Sequence, residues 1–314
     1  MIKTTKSIDE ANAITHGGVF HEDEVFASVI LSYTCENTDL VVARIFQVPE
    51  NCSKLVYDIG GGKYDHHQKE KERRQDKDET PYAAVGLIWK DFGKTALEKM
   101  GIEDEFLYEV WDRVDRSLIK GIDASDNGIT VDEKNGVFSL RLIISMFNLL
   151  WDEQKETDEE TDKATDEAFL EACAIADQVF RRTVDYIVSE LRGERIIKMA
   201  MEKADGKVIV LDKYVPWKRC VCSEDQDEKF WYIVFPTIRK GYNVQCVPNE
   251  PDSNIMRHGL PESWRGLSVE ELRQVTGVSD ALFVHPTGYI GGAQSLEGAL
   301  LMAEKAVNYK KDCL

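Results

Sequence analysis

The stretch that most constrains this chain is residues 55–68, which read LVYDIGGGKYDHHQ. An apolar run that ends at glycines is typical of a buried strand. Asp58 stands at the carboxyl end of that run, and open α/β sheets place their functional groups at this edge. Asp65, His66 and His67 follow shortly afterwards. Because imidazole can bind a metal ion or transfer a proton, the stretch predicts a functional cluster at the edge of a sheet.

A second pair of histidines, His16 and His21, lies in the segment ITHGGVFHEDE. Its glycines permit a turn that other residues rarely adopt. The acidic residues that follow, Asp23 among them, are typical of the first turn of a helix. Histidines in a loop are most often simply solvated. Four of the six histidines fall into these two short segments, however, and this clustering favours one shared site.

The order of expected elements indicates the α/β class. Short strands and a helix alternate at the start of the chain, which predicts a mostly parallel sheet. From residue 208 onward strands and turns dominate, so we expect a smaller α/β domain after a long connecting helix. The expected elements are strands over 11–14, 40–47 and 55–59 and helices over 22–33, 80–92, 104–120 and 166–191.

The composition allows a full core and two domains. The chain has 314 residues, of which 43% are hydrophobic and 31% are charged, as in globular proteins. Its seven cysteines are scattered and odd in number, which indicates reduced thiols rather than a disulfide framework. No apolar run reaches the roughly 18–20 residues of a membrane span, and the N-terminus lacks an apolar signal core. We therefore expect a cytoplasmic protein with no membrane partner.

The formal net charge of −18 limits the kind of partner. It argues against a protein that coats long nucleic acid non-specifically, because such binding draws on a basic surface. It does not exclude an enzyme that acts on phosphate esters, since bound divalent cations would reverse the local potential of an acidic site.

Three further segments allow two interpretations each. Residues 68–79, QKEKERRQDKDE, are either a mobile solvated loop or a lid over the adjoining site. Asp123 and Asp126 in GIDASDNGI belong either to a helix-terminal turn or to the site. Gly291 and Gly292 form either a tight strand-to-helix turn or a turn that presents backbone N–H groups to an anion.

The first part of the chain therefore offers many candidate metal ligands. They are carboxylates and imidazoles without a nearby thiolate, a set that suits Mn²⁺, Mg²⁺ or Fe²⁺ better than structural zinc. There are enough acids for two ions that share one carboxylate and clamp a phosphoryl displacement. The candidates are His16, His21, Asp23, Asp58, Asp65, His66, His67, Asp123 and Asp126.

Four motifs in order resemble the DHH phosphoesterase superfamily and, within it, the melanocyte-proliferating-gene family. They are THGGVFHEDE, VYDIGGGKYDHHQ, GIDASDNGI and HPTGYIGGAQSLEGALLMA, and the resemblance covers nearly the whole chain. That family is long labelled metal-dependent protein hydrolase and is described as a 3′-to-5′ RNA exonuclease. The resemblance implies a DHH-type catalytic domain over 1–200, a DHH-associated-like substrate-binding domain over 201–314, and a cleft between them.

The resemblance also implies a role for each matching residue. Asp58 would bridge two divalent ions, Mn²⁺ or alternatively Mg²⁺, while His67 faces the substrate phosphate and Asp65 orients the histidines. The superfamily often has aspartate in place of His21, and it commonly has histidine in place of Ala293. The implied metal ligands are His16, His21, Asp23, Asp58, His66 and Asp126, with Asp123 as the alternative to Asp126. The implied substrate-binding residues are Arg265, His285, Gly291 and Gly292.

The ligand set predicts a metal-dependent phosphodiesterase, and the resemblance implies a 3′-to-5′ exonuclease on single-stranded RNA or short oligonucleotides. Arg239, Lys240 and Arg265 either meet a phosphate backbone or are ordinary surface charges. Hydrolysis of small phosphates, such as pyrophosphate or a dinucleotide, is the alternative that the acidic charge favours. A metal-binding regulatory protein without turnover is a further alternative. The sequence leaves the oligomeric state open.

Overall fold

The computed structural model describes residues 1–36, 38–129, 139–153, 155–238 and 240–309. The chain divides into two compact units, Met1–Val188 and Ser189–Leu314, and the boundary falls inside a long helix. The assignment of residues 1–200 to a catalytic domain and of 201–314 to a substrate-binding domain stays a prediction. The cleft between the two domains also stays a prediction.

The first unit is built on a four-stranded parallel sheet in the order β1-β3-β2-β4. All of its pairings are parallel, and His16 lies opposite Ile45 at the carboxyl ends of β2 and β3. The mostly parallel sheet expected from the sequence is thus confirmed. Its strands are β1 (Ile2–Thr5), β2 (Ala13–His16), β3 (Leu40–Ile45) and β4 (Leu55–Val56).

The helices of this unit pack around one apolar helix, α1. It contacts α2, α4 and α5 as well as β1 and β3, so residues on all of its sides are buried. A π-helical turn, Asp115–Ile119, joins α3 to α4. The helices are α1 (Glu22–Thr34), α2 (Ala84–Lys99), α3 (Asp104–Val114), α4 (Lys120–Asp126), α5 (Leu140–Ser145) and α6 (Asp158–Lys203).

Most of the expected elements differ in their bounds, and two of them differ most clearly. The strand expected over 55–59 ends at Val56, because the chain turns at Asp58, whose φ is +54°. The helix expected over 166–191 is the much longer α6. Although α6 is long, none of the described helices is both long and apolar enough to cross a membrane.

The second unit contains a five-stranded mixed sheet in the order β5-β6-β7-β9-β8. Only β5 and β6 pair in parallel, and the other neighbours are antiparallel. Helix α9 packs Met302 and Ala303 into the same apolar cluster as Val244 and Ala293 of the sheet. The elements are β5 (Val208–Val210), α7 (Lys218–Glu224), β6 (Tyr232–Pro236), β7 (Tyr242–Cys246), α8 (Val269–Thr276), β8 (Ala281–Val284), β9 (Ile290–Ala293) and α9 (Leu296–Val307).

Candidate metal centre

The carboxyl edge of the parallel sheet gathers imidazoles and carboxylates from five places in the chain. His16 is the last residue of β2, and Asp58 follows the neighbouring strand β4. Asp23 lies in the first turn of α1, His66 in the loop after β4, and Asp126 at the end of α4. This edge is where an open α/β sheet is expected to place its site.

Asp58 lies between two histidines. Its Oδ2 is 3.3 Å from Nε2 of His16, and its Oδ1 is 3.4 Å from Nε2 of His66. The backbone N–H of Asp58 donates to the carbonyl of Tyr64 at 2.9 Å, which fixes the left-handed turn. A non-glycine residue in this region is uncommon, and such strain occurs mostly at functional sites.

The remaining carboxylates lie on either side of this triad. Nε2 of His66 is 3.0 Å from Oδ2 of Asp126 and 3.9 Å from Oδ2 of Asp23. On the other side, Nε2 of His16 is 3.0 Å from Oε1 of Glu24. The arrangement therefore consists of two adjoining groups of ligand atoms that share Asp58.

Oδ1 of Asp58 and both ring nitrogens of His66 are buried and lack a hydrogen bond of good geometry within the described residues. Nε2 of His66 and Oδ1 of Asp58 nevertheless lie within ion-pair distance of each other. Buried polar atoms that are satisfied this imperfectly are uncommon away from functional sites. Sets of side chains in the cluster bring their ligand atoms within 4.8 Å of one another. The donor set thus fits one or more divalent cations.

The charges of the cluster shift the pKa values of its members strongly. Burial would lower the pKa of His16, but hydrogen bonds with Asp58 and Glu24 raise it to about 11. The pKa of His66 is likewise raised to about 10 against the effect of burial, by Asp126 and Asp58. Burial would raise the pKa of Asp58, but the two histidines hold it at about 2. Without an ion, the carboxylates thus favour the protonated form of both histidines, and a metal ion would replace those protons.

Asp23 is in a different environment from Asp58. It is fully buried, and burial together with the charges of Asp58 and Asp126 raises its pKa well above the usual value. A cation beside these carboxylates would remove their mutual repulsion.

Asp65 supports the loop that carries the two adjacent histidines. Its Oδ2 accepts a hydrogen bond from the N–H of Gly61 at 2.6 Å. Its Oδ1 accepts one from the N–H of His67 at 3.0 Å and lies 2.8 Å from Nδ1 of the same residue. His67 is 65% exposed, whereas the side chain of His66 is 4% exposed. Asp65 therefore orients His67, the histidine that faces solvent.

His21 lies at the margin of the cluster. It is exposed, and its ring centroid is 5.9 Å from that of His16. Its backbone N–H donates to both carboxylate oxygens of Glu24, at 2.9 and 3.0 Å. Its ring still belongs to a group with His16 and Glu24 that could hold an ion. Its role as a ligand stays a prediction, like those of the other five residues named as ligands.

Asp123 belongs to α4, but its side chain lies away from His66 and caps the N-terminus of α2. Its Oδ1 accepts hydrogen bonds from the N–H groups of Ala83 and Gly86 at 2.8 and 3.1 Å. Asp23 accepts from the next two amides, those of Ala84 and Val85, at 2.9 and 2.6 Å. These remote carboxylates satisfy the free amides of the helix end, which is why α2 begins at Ala84 and not at residue 80. Of the two acids in GIDASDNGI, only Asp126 contacts His66.

Two residues of the site were not among the sequence candidates. Glu24 is buried beside His16. It could have been recognised in the sequence because it lies three residues after His21, where a glutamate commonly accepts the N–H of a helix cap.

Arg74 lies in the charged segment 68–79, where nothing in the sequence distinguishes it from the neighbouring charged residues. It is buried and binds Asp115 through two hydrogen bonds of 3.0 and 2.7 Å.

The interpretation of residues 68–79 as a wholly solvated loop is therefore wrong at Arg74, although most of the segment is exposed. Nη1 of Arg74 lies 2.5 Å from Oδ2 of Asp123, and its guanidinium lies over the ring of Tyr82. Burial raises the pKa of Asp123 to about 7, while Arg74 acts to lower it. Through Arg74, the segment is thus attached to α4, the helix that carries both Asp123 and Asp126.

The residues predicted to bind substrate in the second unit differ in exposure and in hydrogen-bond partners. Arg265 donates from Nε and Nη2 to the carbonyl of Leu260, at 3.0 and 2.8 Å. His285 is exposed, and its Nδ1 lies 2.9 Å from Oγ1 of Thr287. Lys240 is exposed, and Arg239 lies outside the described residues. Their roles in substrate binding stay predictions.

Gly291 and Gly292 lie inside strand β9, between β7 and β8, and not in a turn. A Cβ atom at Gly292 would lie 2.9 Å from the carbonyl oxygen of Tyr242, and one at Gly291 would lie 3.0 Å from that of Phe283. The close approach of neighbouring strands therefore requires glycine here. A bulky substitution would disturb the sheet as well as any ligand.

Comparisons with known proteins agree with the four motifs. The chain is 32% identical over 323 aligned positions to MYG1 protein C694.04c of Schizosaccharomyces pombe, covering 95% of this chain and 98% of the relative. It is 29% identical to the MYG1 protein of Dictyostelium discoideum, covering 94% and 95% of the two chains. It is also 29% identical to the human MYG1 exonuclease, covering 92% and 84%. The profile of MYG1_exonuc, described as "Uncharacterised protein family (UPF0160)", matches residues 12–307, and the chain therefore belongs to this family.

Proposed function

We propose that this chain is a divalent-metal-dependent phosphodiesterase that removes nucleotides from the 3′ end of single-stranded RNA or short oligonucleotides. The observation that carries this proposal is the convergence of His66 with the carboxylates of Asp58, Asp23 and Asp126 at the carboxyl edge of the sheet. Relatives named exonuclease support the nuclease class. The four motifs that resemble the DHH phosphoesterases support the metal and the phosphodiester bond.

In this proposal the cluster would hold two divalent ions, Mn²⁺ or Mg²⁺, and Asp58 would contribute to both groups of ligands. His16 and Glu24 would contribute on one side of Asp58, and the other side would use His66 and its carboxylate neighbours, Asp23 and Asp126. Bound divalent ions lower the pKa of water and neutralise charge on a phosphate.

His67 is the group of this cluster best placed to touch the substrate. Its ring is exposed, and its Nδ1 lies 2.8 Å from a carboxylate oxygen of Asp65, a pairing that favours the tautomer with the proton on Nδ1. With the proton on Nδ1, Nε2 of the neutral ring can accept a proton from an attacking water, and only the doubly protonated ring can donate to a phosphate oxygen or protonate the leaving oxygen. Asp65 fixes the tautomer and the orientation of the ring.

The acidic surface favours a short substrate. A net charge of −18 repels a long polyanion except where cations are bound. This observation also favours the second candidate function, hydrolysis of small phosphates such as pyrophosphate or a dinucleotide. Both functions use the same metal centre and differ in what lies beyond the reacting phosphate.

A single panel of substrates tests both functions. The full chain is incubated with Mn²⁺ and with single-stranded RNA labelled at its 5′ end or its 3′ end, a dinucleotide, or pyrophosphate. We expect a ladder of shortened products from the 5′-labelled RNA and immediate release of labelled mononucleotide from the 3′-labelled RNA. Cleavage of pyrophosphate with RNA left intact would instead establish the second function. Absence of metal-dependent cleavage of every substrate would contradict both.

Metal binding is measured on the same samples. Calorimetry with Mn²⁺ should show binding, and the metal should raise the melting temperature relative to protein in EDTA, because a ligand that binds only the folded state stabilises it. A protein that neither binds Mn²⁺ nor changes its melting temperature would rule out the metal centre whatever the activity.

A further inference from the structure

An exposed aromatic ring lies on the same sheet edge as the candidate metal centre. Phe46 follows Ile45, the last residue of β3, which is paired with His16 of β2. It is 68% exposed, although phenylalanine is usually buried. Since β3, β2 and β4 are adjacent and neighbouring strands lie about 4.8 Å apart, Phe46 stands about two strand spacings from Asp58.

The ring of Phe46 rests on two glycines. A Cβ atom at Gly17 would lie 3.4 Å from Cζ of Phe46, and one at Gly18 would lie 3.3 Å from its Cε1. The φ of Gly18 is +78°, which favours glycine. These glycines belong to the turn that leads from His16 to His21, so the ring contacts the chain of the metal centre on one side and leaves its other side to solvent.

A cavity of about 590 Å³ opens beside the ring. Phe46, Val48, Val56 and Ile59 give it apolar walls, and Gly60 begins the loop that carries the Asp-His-His run. This volume is in the range of pockets that receive small organic ligands. The cavity therefore shares the glycine loop, residues 60–62, with the Asp-His-His run of the candidate metal centre.

The charge of the cavity indicates which part of a nucleotide enters it. Among the described residues that line it, Glu50 alone carries a formal charge and none is basic, so a phosphate would be repelled. Gln47 and Asn51, whose side chains carry amides, also line it. A cavity with apolar walls, one aromatic ring and amide-bearing residues suits an uncharged, planar, hydrogen-bonding group.

We propose that this cavity receives the base of the nucleotide whose phosphate lies at the metal centre, with Phe46 as the stacking surface. The inference rests on the proposed function, because it takes the ligand to be a nucleotide. Stacking on an aromatic ring accepts every base, since every base has a π-face. The site would thus grip the terminal nucleotide of RNA without selecting a sequence.

The test compares two ligands that differ only by a base. Binding of adenosine 5′-monophosphate and of ribose 5-phosphate to the Mn²⁺-loaded full chain is measured by calorimetry. Removal of an aromatic stacking partner costs about 5- to 150-fold in affinity for one base. We therefore expect the wild type to prefer adenosine 5′-monophosphate by such a factor, and Phe46→Ala to lose that preference.

Three further variants make the comparison specific to the ring. Phe46→Tyr should keep the preference, while Phe46→Leu, which is apolar without a π-face, should lose most of it. Tyr108→Ala removes an aromatic side chain of similar exposure, 64%, on α3 and should behave as the wild type. Thermal unfolding of each variant shows whether the fold is intact.

The outcomes separate this inference from the proposed function. Equal binding of the two ligands by the wild type, or an unchanged preference in Phe46→Ala, would overturn the inference even if RNA is hydrolysed. A Phe46-dependent preference in a chain that cleaves no RNA would support the base site and count against the exonuclease. Affinity for Mn²⁺, measured on the same variants, should not change, because Phe46 is not a ligand.

Discussion

Arg74 and Asp123 form an ion pair at the base of the candidate site, with Nη1 and Oδ2 2.5 Å apart. Both side chains are buried, and Asp123 also accepts the N–H groups of Ala83 and Gly86. The pair joins the segment after the Asp-His-His run to the helix that ends at Asp126. A charge that appeared to belong to a solvated loop is thus part of the framework that positions a predicted ligand.

Replacing Arg74 should destabilise the first unit. Arg74→Met leaves the carboxylate of Asp123 buried without its cation, and breaking a buried pair from one side costs about 3–5 kcal/mol. Denaturant unfolding measures the loss. The neighbouring Arg73 is exposed, so Arg73→Met is the matched control and should stay within about 0.5 kcal/mol of the wild type. Equal stability of the two variants would mean that the ion pair contributes nothing.

Gly86 should tolerate no side chain. A Cβ atom there would lie 2.1 Å from Oδ2 of Asp123, so Gly86→Ala should cost about 1–3 kcal/mol by overpacking. Gly121 is the control, since it lies in α4, is exposed, and has open space around a Cβ atom. Gly121→Ala should gain up to about 1 kcal/mol from helix propensity. Thermal melts of both variants check the opposite signs.

Asp58 should be essential for catalysis but not for folding. Asp58→Asn removes the negative charge shared between His16 and His66, so Mn²⁺-dependent cleavage should fall by several orders of magnitude. Asparagine also adopts the left-handed conformation of this position, so the circular dichroism spectrum should be unchanged. Asp9→Asn, on an exposed loop, should keep normal kcat/KM. Near-normal turnover of Asp58→Asn at saturating Mn²⁺ would rule out the shared carboxylate.

The two adjacent histidines should differ in function. His66 is buried against three carboxylates, so His66→Asn should abolish Mn²⁺ binding in calorimetry. His67 is exposed and held by Asp65, so His67→Asn should retain Mn²⁺ binding and lower kcat by about 10²- to 10⁴-fold, the usual contribution of a general acid or base. Loss of Mn²⁺ affinity in both variants, to the same degree, would show that His67 is a ligand instead.

The sequence by itself determined the class of sheet and the motifs that cluster at its edge. Alternating short strands and helices require parallel pairing, and parallel strands bring their carboxyl ends to one edge. The order of the motifs therefore predicted that His16 and Asp58 would be neighbours, as they are on β2 and after β4. The same motifs led to the family that the comparisons confirm.

Only the tertiary structure distinguished residues that look alike in sequence. Asp123 and Asp126 lie three positions apart on one helix, yet one accepts the amides of α2 and the other contacts His66. Arg74 resembles its charged neighbours, and Glu24 resembles an ordinary capping residue. The role of each of these residues depends on the group from a distant part of the chain that lies against it in the folded protein.

Gly291 and Gly292 also show that tertiary contacts, and not local backbone preference, can determine which residue a position requires. Gly291 and Gly292 suggested a turn because glycine permits unusual backbone angles. The structure requires them for a different property, the absence of a Cβ atom where the carbonyls of Tyr242 and Phe283 approach the strand. Local preference is a property of the chain near one residue, whereas burial and close approach depend on elements that meet only when the chain folds.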